Sequence, residues 1–192
     1  MVKLTGPKKI KTAVFISGAG SNLKSLIIFS KMKKSPISIN LIISNKKKAR
    51  GLKYAHKYNI LKKIFNFQNI KTIEKKILIL LKREKIRLIC LAGFMKILSK
   101  SFIKKFKGKI INIHPSLLPK YKGLNTHERA IRNNDDFTGC TVHYVTEKID
   151  SGKIVLQRKV KITAKDNAIL LAKKVLKEEH KLYPAAILKI FN

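Results

Sequence analysis

Thr12-Ala13-Val14-Phe15-Ile16-Ser17, followed at once by Gly18-Ala19-Gly20-Ser21-Asn22, is the stretch that decides the fold. A short apolar run stops at a glycine turn. Ser21 to Lys31 then carries Leu23, Leu26, Ile27 and Ile28 at helical spacing. The order strand, loop, helix follows from that change of period. Downstream, Ile37–Ile43 (ISINLII) reads as a second buried strand and Lys48–Tyr58 as a helix. Leu61–Phe65 reads as a third strand, and Ile70–Glu84 as a helix with Ile73, Ile77, Leu80 and Leu81 on one face. Ile86–Ala92 (IRLICLA) is a continuous apolar strand. Ser99 is placed to cap a helix over Phe102, Ile103 and Phe106, and Lys109–Ile113 is a further strand. Alternating strands and helices imply right-handed crossovers and a parallel sheet, with strands apolar enough to be buried on both faces.

The last third changes character. Cys140–Val145 (CTVHYV) and Lys153–Ile162 (KIVLQRKVKI) alternate as half-exposed strands do, on either side of a turn at Ile149-Asp150-Ser151-Gly152. They read as an antiparallel pair added to the sheet. Ala164–Leu182 reads as an amphipathic helix with Ile169, Ala172, Val175 and Leu176 inward, and Pro184 as the start of a short closing helix. The fold class expected is α/β: a Rossmann-like, mostly parallel twisted sheet flanked by helices, with an antiparallel C-terminal strand pair. Neither repeat nor linker divides the chain, so residues 1–192 read as one domain.

Hydrophobic residues make up 45% and charged residues 28%, a globular composition. No apolar run reaches the roughly 18 residues that span a bilayer. The basic stretch Met1–Lys11 lacks the apolar core of a secretory signal, so the expected location is cytoplasmic. Cys90 and Cys140 alone make neither a disulfide framework nor a metal cluster. Lys+Arg 44 against Asp+Glu 10 gives a net charge of +34. Such a charge suits a nucleic-acid binder. Three features favour compositional drift instead. Nearly all the cations are lysine, Ile and Asn are also abundant, and the lysines are scattered rather than gathered in a stripe with aromatics.

Two motifs carry chemistry. Gly18-Ala19-Gly20-Ser21-Asn22 can present backbone N–H groups and a helix N-terminus to an anion, and it equally suits a tight turn with a Ser cap. It matches neither the dinucleotide fingerprint nor the P-loop. Asn112-Ile113-His114-Pro115-Ser116-Leu117-Leu118-Pro119 sits at the carboxyl end of a predicted strand, where open α/β sheets place ligands. Asn112 and His114, two apart, project to one side. An amide can steady an oxyanion there and an imidazole can move a proton.

Over about Lys11 to Ile190 the sequence resembles the folate-dependent glycinamide ribonucleotide formyltransferases. The resemblance is carried by ISGAGSNL (16–23), LAGFMKILS (91–99), NIHPSLLPKYKGLNTH (112–127), GCTVHYVTEKIDSG (139–152) and KEEHKLYP (177–184). It implies transfer of a formyl group from 10-formyltetrahydrofolate, as cosubstrate, to the amine of phosphoribosylglycinamide, with no metal required. It implies a catalytic trio of Asn112, His114 and Asp150, in which Asp150 raises the proton affinity of His114 and orders a water. Gly20, Ser21 and Asn22, with Lys177 and Glu179, fall at the nucleotide-binding positions. Met95, Lys96, Ile97 and Leu98 fall at a wall of the folate pocket, and Thr146, Glu147, Lys148 and Ile149 in the loop that closes over the pterin. Lys71 stands in for an arginine that meets the folate tail in relatives. His127 falls near the site, and His143 reads as structural. Lys122 replaces a usual proline and Asn125 a frequent histidine. The partners implied are small molecules and no membrane, with nucleic acid met only non-specifically through charge, in a monomer or homodimer. Methionyl-tRNA formyltransferase and formyltetrahydrofolate hydrolase share HPSLLP and LAGFM. Each normally carries a further domain that 192 residues are not expected to hold.

Overall fold

The computed structural model describes residues 9–191. Most of the basic N-terminal stretch read against a secretory signal lies outside them. Seven strands form one sheet in the order β3-β2-β1-β4-β5-β6-β7. They are β1 (Ile10–Ile16), β2 (Ile37–Ser44), β3 (Leu61–Ile64), β4 (Leu88–Leu91), β5 (Lys109–His114), β6 (Phe137–Tyr144) and β7 (Ile154–Lys161). The first five are parallel, and β6 and β7 run antiparallel, as the two alternating runs led one to expect.

Period two sorts the strand side chains between two cores. Val14, Ile16, Cys90, Ile111 and Val142 face one side, where α1 (Ser21–Ser30) and α6 (Ala168–Phe191) cover them. Ala13, Phe15, Leu41, Ile43 and Ile89 face the other, under α3 (Ile70–Arg83) and α4 (Lys100–Lys105). The strand order reverses between β1 and β4. Open sheets leave a ligand crevice outside the carboxyl ends of the strands at such a switch point. The loop after β1 and the loop after β4 meet there, the Ser17 N–H donating to the Gly93 carbonyl at 3.1 Å.

Four details differ from the sequence reading. The expected helix 48–58 is a single 3₁₀ turn, Arg50–Leu52, followed by a short α2, Lys53–Lys57. A further helix, α5 (Thr126–Arg132), had no apolar stripe to announce it, and among its apolar residues Ala130 alone is fully buried. Ile169, expected inward, is 69% exposed, because α6 starts at Ala168 and its first turn overhangs the core; Leu171 and Val175 are the residues that turn in. Pro184 lies inside α6 rather than opening a new helix. Proline has no N–H to give the carbonyl four residues back. That carbonyl, on His180, instead accepts a hydrogen bond from the Ser25 hydroxyl of α1 at 2.9 Å, so the helix continues.

Candidate active site

β5 delivers Asn112 and His114 to the carboxyl edge of the sheet, and β6 brings His143 beside them, in register with Asn112. The turn after β6 returns Asp150 to the same place. Asp150 takes a positive φ of 45°, and Gly152, two residues on, packs so closely against the Tyr144 carbonyl that a Cβ would collide with it. The chain therefore folds back tightly at this turn. Asp150 Oδ2 lies 3.3 Å from His114 Nδ1 and accepts the Gly123 N–H at 2.9 Å. Its Oδ1 lies 3.5 Å from His143 Nε2. Asn112 Nδ2 is 3.3 Å from His143 Nε2, and His143 Nδ1 donates to the Tyr144 carbonyl at 2.9 Å. His114 Nε2 meets the Tyr121 carbonyl at 2.8 Å.

These contacts set the electrostatics. Burial pushes the His114 imidazole below its ordinary value, outweighing the Tyr121 carbonyl and the Asp150 charge, which both pull it up. The expected direction of the Asp150 influence is present, but desolvation wins. Burial alone would raise the Asp150 carboxyl. Its bond to His143, the Gly123 N–H and the two neighbouring imidazoles together hold it below the usual carboxylate range. His127 is pushed down by burial and then by His114, which places it near the trio. Its Nδ1 is buried without a partner.

A second group lies at the start of α1. Gly20 adopts φ 74° in the left-handed region, and a Cβ there would stand 2.6 Å from the Gly51 Cα. Glycine is needed for both reasons. The turn presents the N-terminus of α1, whose first residues are Ser21 and Asn22. Asn22 donates to Glu179 Oε2 at 2.7 Å, and its own Oδ1 is buried without a partner. Glu179 is 7% exposed, and burial raises its carboxyl despite the Asn22 bond. It is not the solvated helix carboxyl that an acidic residue on a surface helix usually is.

A family model described as "Formyl transferase" matches residues 10–187. Phosphoribosylglycinamide formyltransferase of Haemophilus influenzae is 44% identical over 180 residues, 92% of this chain and 85% of that protein. The chain belongs to the formyl transferase family, on its phosphoribosylglycinamide formyltransferase branch. The crystal structure of phosphoribosylglycinamide formyltransferase from Brucella melitensis superposes with a TM-score of 0.90 at 42% identity, covering 95% of this chain and 96% of that one. The human trifunctional purine biosynthetic protein adenosine-3 is 43% identical over 94% of this chain, which spans 18% of that protein's length.

The other positions implied by the formyltransferase resemblance lie on the loop after β4, the loop leading to Asp150, α3 and α6. Met95 and Ile97 stand 61% and 65% exposed on the loop after β4, with Lys96 exposed between them. Leu98 turns into the core at 5% exposure, so only its backbone can face a ligand. Thr146, Glu147, Lys148 and Ile149 are exposed on the loop leading to Asp150. Lys177 is exposed and two positions before Glu179, about 200° round the helix. It lines a separate cavity of about 410 Å³ with Asp166, Lys173 and Lys174. Lys71 is exposed in the first turn of α3, with none of the trio among its hydrogen-bond partners. A cavity of about 560 Å³ runs between α1 and α6 past Ser21, Ser25 and His180 and does not include the trio. What sets Asn112, His114 and Asp150 apart is the convergence of their polar groups at the strand tips.

His143, which reads as structural from the sequence, also touches this group, 3.3 Å from Asn112 Nδ2 and 3.5 Å from Asp150 Oδ1. Its signal was available in the alternation of β6: Thr141 and His143 share a face, and that face meets Asn112 and His114 of β5.

Proposed function

We propose that this chain transfers the formyl group of 10-formyltetrahydrofolate to the amine of 5-phosphoribosylglycinamide, in the cytoplasm. The products are formylglycinamide ribonucleotide and tetrahydrofolate, a step of de novo purine (IMP) synthesis. The observation that carries the reading is the convergence of an amide, an imidazole and a carboxyl group at the strand tips. Asn112, His114 and Asp150 meet through contacts of 3.3 to 3.5 Å, directly and by way of His143.

The substrate amine attacks the formyl carbon, and negative charge grows on the formyl oxygen. Asn112 Nδ2 carries two N–H groups. Nδ2 lies 3.3 Å from His143 Nε2, and one of its N–H groups holds that oxygen. Burial keeps His114 neutral near pH 7, with its Nε2 proton on the Tyr121 carbonyl. Nδ1 is then the free base. A proton leaving the amine reaches it directly or through a water held by Asp150. The imidazolium so formed is paired with Asp150 and sits beside the developing oxyanion. The same proton passes to the folate nitrogen as the carbon–nitrogen bond breaks.

The nucleotide is held at the other group. Its phosphate meets the N-terminus of α1 at Gly20, Ser21 and Asn22. Glu179 accepts from a nucleotide hydroxyl or amine, and the orphaned Asn22 Oδ1 accepts a second donor. The flat folate ring lies between the exposed apolar side chains Met95, Ile97 and Ile149. The exposed Lys177 and Lys71 contribute positive charge to substrate binding.

Mixing the protein with 10-formyltetrahydrofolate and phosphoribosylglycinamide, and following folate absorbance, tests the reading. Formyl loss should require the nucleotide. Equal loss without it would indicate a hydrolase, and no loss with both present would reject the transfer.

A further inference from the structure

Glu74, on α3, is 4% exposed, and in a chain with Lys+Arg 44 its buried carboxyl group is spent on a serine. Oε1 accepts the Ser99 N–H at 2.7 Å, and Oε2 accepts the Ser99 hydroxyl. The same Ser99 oxygen accepts the Phe102 N–H at 3.1 Å, capping α4. Ser99 thus bridges α3 to the start of α4. On the other side of the same loop, Ser17 at the end of β1 accepts the Met95 N–H at 2.7 Å, and the Ser17 N–H binds the Gly93 carbonyl. Residues 93–99 are therefore pinned at both ends, and Met95 and Ile97 stand exposed between the pins. α4 also reaches the opposite loop. Lys100 Nζ lies 2.8 Å and Lys104 Nζ 3.6 Å from the carboxyl oxygens of Glu147, three residues before Asp150.

We propose that Glu74 is a positioning residue for the formyl-folate side of the site. Through Ser99 it fixes the first turn of α4, and with it both the 93–99 segment and, by way of Glu147, the loop that carries Asp150. The inference rests on the formyl-folate reading above and adds to it a residue that touches neither substrate. A carboxyl group is required because Ser99 offers two donors. An amide at position 74 would turn an N–H₂ group toward one of them.

Steady-state kinetics of the full chain carrying Glu74→Gln or Ser99→Ala test this. In Glu74→Gln the KM for 10-formyltetrahydrofolate should rise roughly tenfold, the loss of one buried hydrogen bond. The KM for the nucleotide should stay within about twofold, and kcat should change less than the folate KM. Ser99→Ala keeps the backbone half of the bridge and should move the folate KM the same way by less. The double variant should fall short of the sum of the two. A lowered melting temperature with an unchanged folate KM would make Glu74 merely structural and overturn the proposal. Should Glu74→Gln fail to fold, Ser99→Ala decides alone. Calorimetric binding of 10-formyltetrahydrofolate without nucleotide separates this test from that of the reaction. Wild-type binding without transfer rejects the reaction and leaves the ratio of Kd values to judge Glu74. No wild-type binding rejects both.

Discussion

His114 Nδ1 stands 3.3 Å from Asp150 Oδ2, a pair that joins the end of a parallel strand to a turn beyond the antiparallel β6. Neither partner is placed by local sequence. His114 is held by the β5 ladder and by the Tyr121 carbonyl, and Asp150 by the Gly123 N–H and the tight turn at Gly152. Both are largely buried, so their charges are poorly screened and each favours the charged form of the other, though burial contributes more at both.

The Asn22–Glu179 pair should govern the nucleotide and not the folate. Glu179→Ala removes a buried acceptor and leaves the Asn22 amide unpaired, a loss of about 1–3 kcal/mol. The KM for phosphoribosylglycinamide should rise roughly ten- to a hundredfold. The KM for formyl folate should stay within about twofold. Equal effects on both substrates in steady-state assays would contradict the division of the site.

Stability should fall on acidification. His114, His127 and His180 are all pushed below the ordinary 6.5, chiefly by burial. Below that value the unfolded chain binds protons that the folded chain refuses, so stability rises with pH across this window. Asp150, with its lowered folded value, adds stability present above its unfolded value of 3.8 and lost as pH falls through the folded one. The melting temperature should drop between about pH 7 and pH 5 and be nearly level above about pH 7. A maximum near pH 5 would contradict the assignment.

Charge repulsion should be visible in salt. With a net charge of +34, the folded chain repels itself, and added salt screens that repulsion. The melting temperature should rise between about 0.05 M and 0.5 M sodium chloride. A flat or falling trend would show that the lysines cost the fold nothing.

The continuity of α6 should depend on Ser25. Its hydroxyl satisfies the His180 carbonyl that Pro184 leaves without a helical donor. Ser25→Ala should cost about 1 kcal/mol in urea unfolding. Unchanged stability would mean that the carbonyl finds another donor at no cost.

The parallel core was legible because β1, β2 and β4 are apolar on both faces and are punctuated by loops, and because Ser99 caps α4 as its position announced. The short α5 was not, since Thr126–Arg132 buries only Thr126 and Ala130 and so shows no apolar stripe. Pro184 misled because its compensation comes from Ser25, far away in sequence. At the site, Asn112 and His114 could be paired from their spacing on one strand. Asp150 entered through family resemblance alone, because a turn gives no periodicity from which to read where it points. His143 was passed over because a histidine in an alternating strand reads the same whether its ring meets a partner or an active site.

The most direct test of the account is the rate of nucleotide-dependent tetrahydrofolate formation by Asp150→Asn with both substrates saturating. Asparagine keeps the size of the side chain and removes the charge that pairs with His114. The account predicts a rate at least about a hundredfold below wild type, with the melting temperature little changed. A rate within about threefold of wild type would contradict it, because proton transfer at the formyl carbon would then proceed without the carboxyl group.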